Sequence, residues 1–363
     1  MLKKMSMNTC LTTGLSISLA AILSFAPCAQ AKDDYEIVLG YYNCDHMTAA
    51  PLAQYSGIYE RMGLNVRVIG NAKVPESMAA GHMDAGYVGI TRVMRAYMKG
   101  APIVMGANNH LGGSEYFVVN ESIKSPADLK GKKLMLGSNP DKLNSNWIMY
   151  AMDNDLPLDP KESGIENFSM SDKDAYLAFR AGHLDGFDTC DPWGSMAQYE
   201  KTGDILTTFT GLRNAERGTC CILTLNQNFI NDHFDLAVTL VQAHAEAIKM
   251  EYLKPLEASK IFSKAYYVPE EVGLMTLYMK TVGEGRTMSW EIDDDRVRAT
   301  RDNCVAIGIL TESPKIADFV NHDVINAAQL ESFDDFIKNE VDPVFPLGMS
   351  YEEWRAKVIE RGL

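Results

Sequence analysis

Two stretches of the chain, AGHMDAGYVG at Ala80–Gly89 and AGHLDGFDTC at Ala181–Cys190, carry the same Ala-Gly-His-(Met/Leu)-Asp phrase 101 positions apart. Each follows an apolar-periodic run, PESMAA and KDAYLAFRA, in which Met78 and the set Tyr176, Leu177 and Phe179 mark one buried helical face. Gly81 and Gly182 stand where a helix ends in a left-handed residue, which glycine adopts without a Cβ penalty. His82 and His183 follow at the negative end of the helix dipole and read as solvated cap residues rather than ligands. DAGYVG and DGFDTC are short apolar runs suited to buried strands. The phrase is a helix stop joined to a strand start, one unit of a parallel α/β sheet, used twice. What repeats is scaffold. The tails that diverge are where chemistry belongs, because ligands of open parallel sheets bind beyond the carboxyl ends of the strands.

Working outward, YEIVLGYY (35–42) reads as a first strand, APLAQYSGIYERMG (50–63) as an amphipathic helix stopped by Gly63, and LNVRVIG as a second strand. A helix is expected over 75–80, a strand over 85–88 and a helix over 91–98, with PIVMGANN and EYFVVN strand-like beyond them. SPADLKGKKLMLG (125–137) is a second start, with Ser125 capping a short helix, Pro126 in its first turn and Gly131 ending it. ILTTF and CCILTLN are further strands. After Asn231 the texture is helical: Phe234, Val238, Val241, Ala245, Ile248 and Tyr252 fall on one helical face. Further helices are expected over 269–281, 293–309, 327–339 and 351–361.

Residues 1–31 have the pattern of an export signal: Lys3 and Lys4, an apolar stretch from Leu11 to Phe25, and AQA at Ala29–Ala31 before Lys32. Pro27 before Cys28 is a poor context for a lipid anchor, so a soluble periplasmic protein is expected. The net charge of −14 over 363 residues excludes nucleic acid as a natural partner. Beyond the leader stand five cysteines, Cys44, Cys190, Cys220, Cys221 and Cys304, an odd number that leaves at least one thiol unpaired in a monomer. No CxxC, HExxH, GxSxG, phosphate loop or GxGxxG is present, which weighs against the commonest hydrolases and nucleotide enzymes.

LGYYNCDHMTAAPLAQYSGIYERMGLNV, AAGHMDAGYVGIT, SPADLKGKKLMLG and AGHLDGFDTCDPW, in this order and spacing, resemble the periplasmic substrate-binding proteins of ABC importers in the nitrate/sulfonate/taurine branch, which is related to the thiamine-pyrimidine synthases. The resemblance implies a two-lobed type II α/β fold with a hinge of two crossover strands and a helical C-terminal region. Lobe 1 would span 33–119 and 222–363, and lobe 2 would span 120–221. It also implies a ligand cleft of strand-to-helix loops. Here these supply Tyr42, Asn43, Cys44, Asp45 and His46; Gly89, Ile90 and Thr91; Gly113 and Ser114; Ser138 and Asn139; and Asp188, Cys190, Asp191 and Trp193.

The residues agree with that placement. VGIT and CDPW each open a helix, with Asp191 as the expected N-cap and Pro192 at the first helical position. Free N–H groups at such ends suit anionic or acceptor ligands. Gly89 and Gly113 admit close backbone approach, and Tyr42 and Trp193 offer stacking surfaces. For Trp193 the competing reading is core packing, and for Asp191 it is capping alone. NCDH (43–46) has the asparagine-to-histidine spacing of the thiamine-pyrimidine branch, and Asp45, Asp188 and Asp191 disfavour a bare anion. Cys44 and Cys190 are either small buried residues or disulfide partners, or else form with His46 a thiolate/imidazole set for a soft metal.

The function expected is that of a non-catalytic, monomeric binding protein without a cofactor. It would deliver a small polar organic solute, such as a zwitterionic sulfonate or a thiamine-type pyrimidine, to the transmembrane subunits of an ABC permease. Capture of a metal or metallophore, or a pyrimidine-synthase-like enzyme, are the alternatives.

Overall fold

The strands of this chain form two sheets, and along each strand alternate side chains face opposite sides of its sheet. The computed structural model describes residues 35–363 apart from 43, 138, 140–142 and 214–215, so the leader, Asn43 and Ser138 lie outside the described residues. In chain order the strands are β1 (Glu36–Tyr41), β2 (Asn65–Gly70), β3 (Ala85–Gly89), β4 (Ile103–Leu111), β5 (Glu115–Val119), β6 (Lys133–Met135), β7 (Glu166–Phe168), β8 (Gly186–Cys190), β9 (Asp204–Thr208) and β10 (Thr219–Asn226). The first sheet runs β2-β1-β3-β10-β4 and the second β7-β6-β8-β5-β9. The two orders match place for place. The central strands β3 and β8 both follow the repeated phrase, and the fourth strand of each sheet, β10 or β5, is antiparallel to its neighbours. Gly81 and Gly182 close their helices at φ 73° and 77°, and His82 and His183 are exposed.

The chain crosses between sheets twice, from β4 to β5 and back from β9 to β10. The crossings fall a few residues from the limits read in the sequence. Glu115–Val119 pairs with β8 and β9 in the second sheet, and Cys221 pairs with Gly89 in the first. From β4 the chain enters the second sheet within a few residues, whereas the return from β9 to β10 takes the longer segment 209–218. The crossings also touch: the Gly112 amide donates to the Gly218 carbonyl at 2.9 Å. A Cβ on Gly112 would lie 1.7 Å from the Thr210 carbonyl oxygen.

Helices cover both faces of the first sheet. Leu39, Tyr41, Ala85, Tyr87, Leu223 and Leu225 face one apolar cluster, which also takes in Ala237, Val241, Ala245 and Ile248 of the helix Phe234–Leu253. Val88, Ile103, Met105 and Ile222 face the other. In the second sheet Tyr116 and Val118 join the first of these clusters, whereas Phe117 and Val119 pack with Trp147 and Tyr150. The helix expected over 50–63 is two helices, Ala49–Tyr55 and Ile58–Arg61, because Gly57 turns left-handed between them at φ 73°. The one expected over 327–339 is likewise His322–Ala327 and Phe333–Phe336, the latter continued by a wider turn to Val341. Leu177, assigned to a buried face, is 47% exposed.

Candidate functional site

The loop after β1 is built to hold polar groups without water. Cys44 leads into a tight turn, Asp45–Met47, whose residues are all buried. Its carbonyls are held from the C-terminal helices: Tyr266 Oη donates to Cys44 O at 2.8 Å, and Lys280 Nζ donates to Asp45 O at 2.6 Å and to Thr48 Oγ1 at 3.2 Å. Lys280 is fully buried and pairs with the equally buried Glu251 at 3.3 Å. The Asn109 side-chain amide donates to His46 O. Opposite stands the carboxyl end of β8. The Asp45 amide donates to Asp191 O at 3.1 Å, and the Asp191 amide donates to Ser114 O at 3.1 Å. The ends of β1 and β8, one from each sheet, therefore meet directly.

His46 is the hub of the side chains gathered there. Its Nε2 lies 3.5 Å from Asp45 Oδ1 and 3.3 Å from Ser114 O. Its Nδ1 lies 3.5 Å from Cys220 Sγ and 3.7 Å from Cys221 Sγ. The ring stacks on His110 with centroids 4.0 Å apart. Cys44 Sγ is 3.8 Å from Asp45 Oδ1. Donor atoms of Cys44, Asp45, His46 and Cys190 all lie within 4.8 Å of one another, as do those of His46, His110 and Cys220. All five cysteines are free, so the expected alternative of a Cys44–Cys190 disulfide is not formed.

Burial alone would raise the Cys44 thiol, but the Cys190 thiol and His46 beside it outweigh burial and hold it well below its ordinary value. Cys221 does the same for Cys220 against burial, with His46 assisting. Burial would discharge His46, yet Asp45 and the neighbouring thiols raise it well above the usual imidazole range. His110 is driven down to about 3 by burial and by His46. Chemically this is a cluster of thiols and imidazoles, with Cys44 and His46 buried and Cys190 and Cys220 partly so, in which the charged forms of Cys44, Cys220 and His46 favour one another.

Carboxylates complete it. Asp188 accepts from Asn144 at 2.5 Å and from Asn146 at 3.2 Å. Burial lifts Glu115 and Asp172 to about 7 each, with the Cys220 and Cys44 thiols adding repulsion respectively. Asp191 is lifted to about 6 by burial although it accepts from Ser195 N at 2.8 Å and from Ser195 Oγ at 2.7 Å. A ligand bringing positive charge or hydrogen-bond donors relieves these groups, whereas an anion opposes them.

Of the remaining sequence-derived candidates, Ser114 and Tyr42 border this cluster and the others lie apart from it. Tyr42 is half-buried under the Arg92 guanidinium, 5.6 Å from its ring centroid. Gly89 caps the helix Ile90–Met98. Ile90 is core, and Thr91 Oγ1 contacts Cys304 Sγ at 3.4 Å. Ser114 is fully buried, its amide donating to Glu284 at 2.6 Å. At Gly113 a Cβ would strike Glu284 and Arg217, so its bareness admits the chain's own side chains. Asn139 is exposed. Trp193 stacks on Tyr176 at 5.5 Å, as in its core reading. The helix after β8 starts at Trp193 with Pro192 as its cap, one residue later than the sequence suggested, and Asp191 bonds into its first turn. His110, Glu115, Asp172, Lys280 and Glu251 were not singled out from the sequence. His110 sits in an unbroken buried strand, and the others are remote in sequence from the turn they serve.

The sequence model of the NMT1-like family matches residues 30–264. The chain belongs to the NMT1-like family. Among curated relatives of this NMT1-like chain, a protein of Brucella abortus named as a candidate binding protein is 35% identical over 128 residues, which are 34% of this chain and 38% of that one. Among solved structures, the zinc-bound ligand-binding component of an ABC-type import system from Staphylococcus aureus superposes with a TM-score of 0.65 at 15% identity, covering 81% of this chain and 99% of that one. The nitrate-binding protein NrtA of Synechocystis PCC 6803 gives 0.64 at 16% identity, covering 89% and 97%. The alkanesulfonate-binding protein SsuA of Xanthomonas axonopodis pv. citri gives 0.62 at 17%, covering 79% and 98%. The NMT1-like chain thus has the two-lobed fold of periplasmic binding proteins. The desulfurization enzyme DszB shares that fold at a TM-score of 0.60, 16% identity and coverage of 80% and 98%. Among the described residues no helix is long and apolar enough to cross a membrane.

Proposed function

We propose that this NMT1-like chain is the exported solute-binding component of an ABC importer. It captures a small solute between the two sheets and presents it to the transmembrane subunits of its permease, without catalysis. The supporting observation is the meeting of the β1 and β8 ends, where Asp45 N donates to Asp191 O at 3.1 Å across two lobes of matching topology. Buried polar side chains from both sheets then surround whatever is held there. The two crossings serve as the hinge. The carboxylates favour a solute with an amine, an amidine-like ring or another positive part, so a zwitterionic sulfonate or an aminopyrimidine suits the site better than nitrate.

Mass spectrometry of gently purified protein identifies a retained solute. Solution scattering and thermal melts with taurine, an aminopyrimidine, zinc and nitrate should show compaction and a raised Tm with at least one of the first three. Product accumulating beyond the protein concentration would instead make the chain an enzyme.

A further inference from the structure

We propose that Cys44, Asp45, His46 and Cys190 form a binding site for a soft or borderline d10 cation of the zinc or cuprous type. The proposal rests on the solute-binding reading above and names the chemistry of its solute. Thiolate sulfur and imidazole nitrogen are the donors such ions select over hard cations. Zinc bond lengths to sulfur, nitrogen and oxygen define a tetrahedron with edges of about 3.3–3.8 Å. Two of the edges are already in place, Cys44 Sγ to Asp45 Oδ1 at 3.8 Å and His46 Nε2 to Asp45 Oδ1 at 3.5 Å. All four donors lie within 4.8 Å of one another, so an ion needs only a small contraction to engage them.

A second observation points to a missing partner. Asp45 is fully buried, and its Oδ2 has no hydrogen-bond partner among the described residues. A buried carboxylate with one oxygen unpartnered is costly, and a cation held at Oδ1 would neutralise the charge of the whole group. The far side of the His46 ring is also furnished as metal-binding imidazoles require. Its Nδ1 faces Cys220 Sγ at 3.5 Å and Cys221 Sγ at 3.7 Å, partners that fix the ring, and an ion at Nε2 would take the place of that nitrogen's 3.3 Å contact with Ser114 O. His110 is not a ligand. Its ring lies parallel to His46 within 14°, so an ion in the plane of one ring is out of the plane of the other.

The ligands come from both sheets. Cys44, Asp45 and His46 follow β1, and Cys190 ends β8. An ion held by all four bridges the lobes, and losing Cys190 leaves only the donors of one lobe.

The test titrates the reduced full-length protein with zinc against a chromophoric chelator, and anaerobically with cuprous ion. One ion per chain is expected, with affinity falling about a hundredfold or more in Cys44→Ser and Cys190→Ser, since even supporting residues around a metal are worth 10–100-fold. Cys304→Ser should bind as the unaltered chain does. Circular dichroism melts show whether each variant folds. Independently of any variant, cobalt added to the unaltered protein should give a thiolate-to-metal charge-transfer band and the intense visible bands of a tetrahedral site. The proposal is overturned by failure of both ions to bind stoichiometrically, by cobalt spectra without thiolate character, or by zinc affinity unchanged in both folded cysteine variants. If an amine-bearing solute still compacts the protein in those cases, the ion is lost and the solute-binding reading stands. Stoichiometric thiolate-bound zinc with no solute-driven compaction would do the reverse.

Discussion

Lys280 shows how single side chains sustain the site. Its ammonium is fully buried between Glu251, Asp45 O and Thr48 Oγ1. Replacing it by methionine leaves Glu251 as an unpaired buried acid and frees the turn that positions His46. A loss of about 3–5 kcal/mol is expected in denaturant unfolding, and adding Glu251→Gln should restore part of it. His244 makes the complementary point about pH. Its Nε2–H donates to Asn108 O at 2.7 Å and its Nδ1 lies 3.0 Å from Tyr87 Oη, so the neutral ring is already satisfied. Burial pushes it from 6.5 down to about 4. Within that window the unfolded chain takes up a proton that the folded chain refuses. Stability present at neutral pH is therefore lost as pH falls through it, by on the order of 3 kcal/mol. Unfolding midpoints measured from pH 7 to 4 should fall less steeply in His244→Gln.

At the scale of strands and helices, local signals were legible and distant ones were not. The repeated phrase located β3, β8, the helices before them and the divergent tails, because periodicity and a left-handed glycine act within a few residues. Tyr351–Arg361 was readable to the residue, its Ser350/Glu353 capping box being written in the chain. Gly57 inside an apolar pattern hid a break, because a helix interior and a left-handed turn both tolerate glycine at modest cost. The site was half legible. Cys44, His46 and Cys190 stand beside strand ends, but nothing in the spacing of Lys280 or Tyr266 ties them to a turn more than 200 positions earlier. The crossings give a sharper test. A methyl group on Gly112 meets the Thr210 carbonyl at 1.7 Å, too close for a side chain to yield. Gly112→Ala should lower stability by at least about 1–3 kcal/mol, the usual cost of overpacking. If the crossings are the hinge, the same variant should also alter solute-induced compaction in scattering.

For the whole molecule, the matching strand orders conceal an asymmetry in time. The second sheet is drawn from one uninterrupted stretch, Glu115 to Thr208, whereas the first needs β10 to fill the gap between β3 and β4. Among the strand pairings described, β4 bonds only to β10, more than 100 residues downstream. A nascent chain emerging from the N-terminus can therefore complete its second sheet while the first is still an open half with a bare edge on β3. Closing so long a loop is slow, and an unpaired edge invites aggregation. Pulse-labelling hydrogen exchange during refolding should find β5 and β8 amides protected before those of β4. The strand that finishes the older half of the molecule is the last of the described strands to be made, so if the chain is exported as proposed, and is threaded from its N-terminus, it has no complete first lobe to unfold until more than half of it has passed.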